Sequence, residues 1–288
     1  MPATRPRHAA RLAATTAVLT GTVGLAIAAP AAPTAVQAVP LTPETIDIRP
    51  NPQADWEAAI PDVEKVLRFA AFELLRHVPD RRLPPVLVEP KGGPIVLYRR
   101  GPNGEYQVKL ATGGTLWAQY TFQFAHEMGH ILCNYDEDAN PCKWLEESIC
   151  ETASLFVLRR SAETWKTSPP YPHWKDYAKH LHAYAEERIR KAALPPGTTL
   201  AAWYRENAEA LRANATDREK NNIVAVHLLP RFEAQPSRWQ SVSALNAETL
   251  DASYDLKRYL EAWHRRCPPA HQSFVREVAA LFEIRIEP

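Results

Sequence analysis

Residues 124 to 132 read Phe-Ala-His-Glu-Met-Gly-His-Ile-Leu, two histidines and a glutamate set into an otherwise apolar run. The periodicity predicts a helix over residues 116 to 133, in which Phe122, Phe124, Ala125, Met128, Ile131 and Leu132 would be buried. The four-residue step from His126 to His130 is close to one helical turn, so both imidazoles leave the same face. Polar groups in a buried helix need partners to offset desolvation. A divalent metal meets that need, since two imidazoles can bind one ion at ~2.0–2.1 Å. Glu127 falls on the adjacent face, where its carboxylate can reach a metal-activated water.

Two histidines leave the metal short of a donor, because catalytic zinc usually takes three protein ligands. Downstream, Trp144-Leu145-Glu146-Glu147-Ser148-Ile149-Cys150-Glu151 places Glu147 and Glu151 one turn apart on a second helix, predicted over 144 to 160. Glu147 is the expected third ligand, and Glu151 is expected behind it, accepting the second ring N–H of a ligand histidine. Asp136 is a competing ligand, six residues after His130. That spacing belongs to motifs with a glycine where this chain has Cys133, and a turn needing positive φ suits cysteine poorly. Glu146 could ligate only if the second helix were rotated.

The motif HExxH, a glutamate on a following helix and an acid four residues beyond it resemble the gluzincin metallopeptidases. Trp144-Leu145-Glu146-Glu147 resembles the Trp-Leu-Asn-Glu segment of the aminopeptidase-N-like branch. The resemblance covers residues 117 to 158 and places the third ligand at Glu147. The glycine-rich substrate-binding motif of that branch is missing upstream, so exopeptidase activity is not implied. The resemblance implies a bound Zn2+, a peptide or protein substrate, and Glu127 as the base that activates water. It also calls for a Tyr or His to stabilise the oxyanion, for which Tyr254, His227 and Tyr135 are the candidates. The hairpin ending near Leu110 is expected to line the cleft and pair with an extended substrate.

The expected fold is α+β and mostly helical. A small N-terminal antiparallel or mixed sheet lies over a zincin active-site helix, followed by a helical C-terminal part. Strands are read at Val86 to Val88, Ile95 to Tyr98 and Tyr106 to Leu110, with Gly101-Pro102-Asn103-Gly104 as a hairpin turn. A first helix runs from Pro61 to His77. Beyond residue 160, helices are read over 174 to 192, 200 to 213, 218 to 233, 248 to 265 and 270 to 283. The division is a signal peptide over 1–38, an extended lead-in over 39–60, a zincin-like catalytic core over 61–160 and a helical subdomain over 161–288.

Export is expected because Arg5, Arg7 and Arg11 precede a weakly apolar run from Leu12 to Ala29, with Val36-Gln37-Ala38 as the cleavage site. The threonines and glycines of that run leave it short of a stable membrane span, so none is expected after cleavage. The net charge of +1 and the even spread of basic residues argue against a nucleic-acid partner. Four cysteines in an exported chain allow two disulfides, Cys133–Cys142 and Cys150–Cys267 being the expected pairs, with buried free thiols as the alternative. Trp165, Tyr171, Trp174 and Tyr177 read as core packing in preference to a sugar-binding face, and Asn214-Ala215-Thr216 matches a glycosylation acceptor. Two other functions are weighed against a secreted peptidase: a non-catalytic exported zinc-binding protein, and a zinc hydrolase acting on a non-peptide bond.

Overall fold

Three short parallel strands and one antiparallel edge make the sheet of the computed structural model, which describes residues 40–137, 139–248 and 251–287. Strands β1 (Ile48–Pro50), β2 (Val86–Glu89), β3 (Ile95–Val96) and β4 (Tyr106–Lys109) lie in the order β1-β2-β4-β3. β1 pairs with β2 and β2 with β4 in parallel, Ile48 opposite Val86 and Val88 opposite Val108, whereas β3 runs antiparallel to β4. Ile48, Val86, Val88, Tyr106 and Val108 alternate along their strands and bury one face of the sheet. Parallel neighbours need a crossover, and helix α1 (Ile60–Leu75) supplies it between β1 and β2. Gly104, at φ +83°, closes the turn between β3 and β4, leaving β3 as an outer edge.

Helices α2 (Trp117–Leu132) and α3 (Lys143–Trp165) form the centre. α3 is buried on nearly every side, from Trp144 and Leu145 to Ala162 and Trp165, as expected of a helix enclosed by others. The two approach closely at Gly129, where an added Cβ would come 2.9 Å from the Cα of Cys150. Around them pack α4 (Ala178–Lys191), α5 (Leu200–Ala213), α6 (Arg218–Ala234), α7 (Trp239–Val242), α8 (Leu256–Arg266) and α9 (Pro269–Leu281). Thr199, Asp217 and Asp255 cap α5, α6 and α8, each side chain accepting from the third helical N–H.

The fold is therefore α+β and mostly helical, with a small mixed sheet ahead of the helices, as the sequence predicts. Two boundaries differ from expectation. The lead-in over residues 39–60 contributes β1, a strand too short to show a periodicity. Residue 160 falls inside α3, which packs on α2 at the site and on α4 and α6 behind it, so the described residues form one unit. The expected signal segment over residues 1–38 lies outside the described residues. Among the described residues no helix is long and apolar enough to cross a membrane.

Trp174 stacks on Trp117 with centroids 5.1 Å apart and on Trp165 at 5.9 Å, so the aromatic cluster joins α2 and α3. All four cysteines are buried and free. The expected bridges are not formed because packing of α2 on α3 brings Cys133 beside Cys150, whereas Cys142 lies near Tyr204 and Arg212.

Candidate metal centre

Helix α2 presents His126 and His130 on one face, their ring centroids 5.0 Å apart. Helix α3 meets that face with three carboxylates. Glu147 straddles the imidazoles, its Oε2 3.2 Å from His126 Nε2 and its Oε1 3.6 Å from His130 Nε2. Each outer ring nitrogen faces a carboxylate of its own: His126 Nδ1 lies 3.5 Å from Glu151 Oε2, and His130 Nδ1 lies 2.6 Å from Glu146 Oε1. The second oxygen of Glu146 accepts from Asn246 Nδ2 at 2.7 Å, and Tyr259 donates its hydroxyl to Asn246 Oδ1 at 2.8 Å. This chain of contacts ties the site to α8.

Glu127 lines the same cleft as the two histidines, beside Val96 of β3. Burial raises its carboxyl above the usual range, against the opposing pull of His126 and His130. At Glu147 burial acts in the same direction but is overcome by the hydrogen bond from His126 and the positive charges of His130, His126 and Arg218, which hold it at about 2. Burial works to lower His126, yet its contacts with Glu147 and Glu151 raise it to about 10. His130 is likewise raised, by Glu146 and Glu147, against its burial.

Four carboxyl groups, those of Glu127, Glu146, Glu147 and Glu151, thus surround two imidazoles in a largely desolvated space. Four carboxyl groups against two imidazoles leave an excess of acidic groups that a divalent cation would offset. The donor chemistry fits one as well: Glu147 meets both Nε2 atoms, Glu146 is hydrogen-bonded to His130 Nδ1, and Glu151 stands 3.5 Å behind His126 Nδ1, which has no hydrogen-bond partner among the described residues. Among the described residues, His126, His130 and Cys150 are the group whose ligand atoms all lie within 4.8 Å of one another, whereas Glu147 meets each Nε2 with a different oxygen. Cys150 is the weaker donor because it is fully enclosed between the helices, and burial pushes its thiol well above the ordinary value. Glu147 opens onto solvent through the cleft.

That cleft has a volume of about 570 Å³ and runs between β3 and the N-terminal end of α6. Pro94, Ile95 and Val96 form one wall, so the strand lining the cleft is β3 itself, and the segment near Leu110 lies behind it. Tyr135 is the one candidate oxyanion donor that lines the cleft, and its hydroxyl donates to the Leu97 carbonyl at 2.7 Å. Tyr254 and His227 do not line it. Tyr254 packs under Arg258, and His227 lies along α6 with Nδ1 2.8 Å from the Ile223 carbonyl. Asp136 is exposed and accepts a hydrogen bond from Glu137 N. The positive φ after α2 falls on Asn134 at +53°, not on Cys133, so the chain turns one residue later than an Asp136 ligand set requires.

The sequence reading passed over Glu146 as a support for His130. It was legible in principle, because adjacent glutamates diverge by ~100° around a helix and two ligand histidines need two outer acceptors. Asn246, Tyr259 and the cleft residue Arg218 carry no local signal at all. No family model matches the sequence, and no match is found to a curated protein or to a solved structure.

Proposed function

We propose that the chain is an exported zinc-dependent peptidase, in which His126, His130 and Glu147 hold Zn2+ and Glu127 activates the attacking water. The observation that carries this reading is the placement of Glu147 against both Nε2 atoms while Glu146 and Glu151 occupy the two Nδ1 sides. A structural site would have no use for Glu127, which is buried at the cleft beside the histidines without contributing to that arrangement. Bound there, the metal would supply Lewis acidity, polarising a scissile carbonyl and bringing the pKa of a water toward ~7.

The chain's own residues supply the remainder. Glu127 accepts the proton of the attacking water and delivers it to the leaving nitrogen. Val96 lines the cleft beside that carboxylate, so the base lies next to the strand that would hold the substrate. β3 has a free outer edge to which an extended peptide can add, with Ile95 exposed beside it for apolar contact. Tyr135 is the hydroxyl placed to approach the oxyanion after releasing Leu97.

Glu127→Gln tests the reading. It should keep zinc while peptide hydrolysis falls about 10²–10⁴-fold. Wild-type hydrolysis of a peptide library should stop with a chelator and return with zinc. Undiminished turnover by Glu127→Gln would exclude Glu127 as the base, and absence of any peptide cleavage by the zinc-loaded protein would overturn the peptidase assignment.

A further inference from the structure

The charged side chains lining the cleft divide sharply by sign. Two of its acids, Glu146 and Glu147, are turned to the histidines, and the third, Glu127, is buried beside them. Its cations are Lys143 and Arg218. Lys143 is committed at the rim, donating to the Tyr98 hydroxyl at 2.7 Å and to the Asp136 carbonyl at 2.8 Å. Arg218 differs. It is the first residue of α6, is exposed, and makes no hydrogen bond or ion pair with the described residues. Its charge nevertheless reaches Glu147, which places the guanidinium within electrostatic range of the proposed metal ligands.

We infer that Arg218 anchors a carboxylate of the substrate, so that the enzyme prefers peptides with an acidic group near the bond it cuts. This specificity rests on the peptidase reading of the same site. A guanidinium offers a planar fork of donors that matches a carboxylate in a bidentate pair. Arg218 stands exposed at the cleft, so an incoming carboxylate reaches it without displacing another partner among the described residues. A free α-amine, by contrast, would have to draw Glu146 or Glu147 from the histidines or Glu127 from the attacking water, so recognition of an amino terminus is disfavoured here. The carboxylate has two possible sources, an aspartate or glutamate side chain or the peptide's own C-terminus. Both present the same group to Arg218.

The test uses the zinc-loaded full chain and a mixed peptide library with free C-termini, with cleavage sites read by mass spectrometry. Wild type should show enrichment of Asp or Glu at one fixed position from the cut, which identifies a side chain, or cutting at a fixed distance from the C-terminus, which identifies the terminal carboxylate. Synthetic pairs then follow, Glu against Gln or acid against amide. Arg218→Ala should raise KM about tenfold or more for the charged member, leave the neutral member unchanged, and leave thermal unfolding unchanged. Arg218→Glu should shift the preference toward Lys and Arg. An identical cleavage profile in wild type and Arg218→Glu, or an equal loss of kcat on charged and neutral peptides, overturns the anchor and leaves the peptidase standing. If nothing in the library is cut, both inferences fall together.

Discussion

His130 Nδ1 and Glu146 Oε1 are 2.6 Å apart, a part-buried contact between consecutive helices that orients the imidazole. Because Asn246 and Tyr259 hold the other side of Glu146, the orientation of His130 is set by a chain running back to α8. Glu146→Gln should therefore leave the protein folded while weakening zinc retention by about 10–100-fold. Competition against a chelator of known affinity measures it. Retention equal to wild type would remove Glu146 from the support of the site.

Gly129 sets the separation of α2 and α3. In Gly129→Ala the new methyl would meet the Cys150 backbone at 2.9 Å, and a backbone cannot rotate aside. The helices must part, at a cost of about 1–3 kcal/mol, and Glu147 should withdraw from the imidazoles. Urea unfolding and zinc content should fall together. A variant with wild-type stability and zinc content would contradict the close approach.

The thiols give a labelling prediction. With all four buried and free, the native protein should resist alkylation, and unfolding without reductant should expose four reactive groups. Intact mass counts the labels. Two or fewer would mean that bridges form after all.

His77 gives the protein a sensitivity to acid that is separate from the metal centre. Burial, with Arg76 and Arg160 nearby, lowers it from 6.5 to about 4, and its ring packs edge-on to Phe156. Between those values the unfolded chain takes a proton that the folded chain refuses, so stability is full above pH 6.5 and declines as pH falls toward 4. The ring is only half-buried, and screening keeps the loss to roughly 1–2 kcal/mol. His77→Phe should flatten that part of the profile in denaturant titrations at several pH values. An unchanged slope would assign the acid sensitivity elsewhere.

What the sequence revealed follows the range of the forces involved. Periodicity depends on local burial, so α5 falls over residues 200 to 213 as predicted and α2 differs from its expected span by one residue at each end. The HExxH spacing and the Glu147–Glu151 step are local too, and the structure brings Glu147 against both histidines and Glu151 against His126. α8 was expected from residue 248 but begins at Leu256, where Asp255 caps it. The residues before it include Asn246, which contacts Glu146 a hundred positions away, a long-range bond that no local pattern encodes. Tyr254 and His227 were candidates by residue type alone, and type does not say which helix face meets a cleft.

X-ray absorption at the zinc edge of the metal-loaded protein tests the central claim most directly. The account predicts two imidazole nitrogens and carboxylate oxygen at ~2.0–2.2 Å with no sulfur, and loss of the oxygen contribution with weakened zinc binding in Glu147→Ala. A sulfur scatterer at ~2.3 Å would move the third ligand to Cys150, and a protein that takes up no zinc would contradict the account at its root.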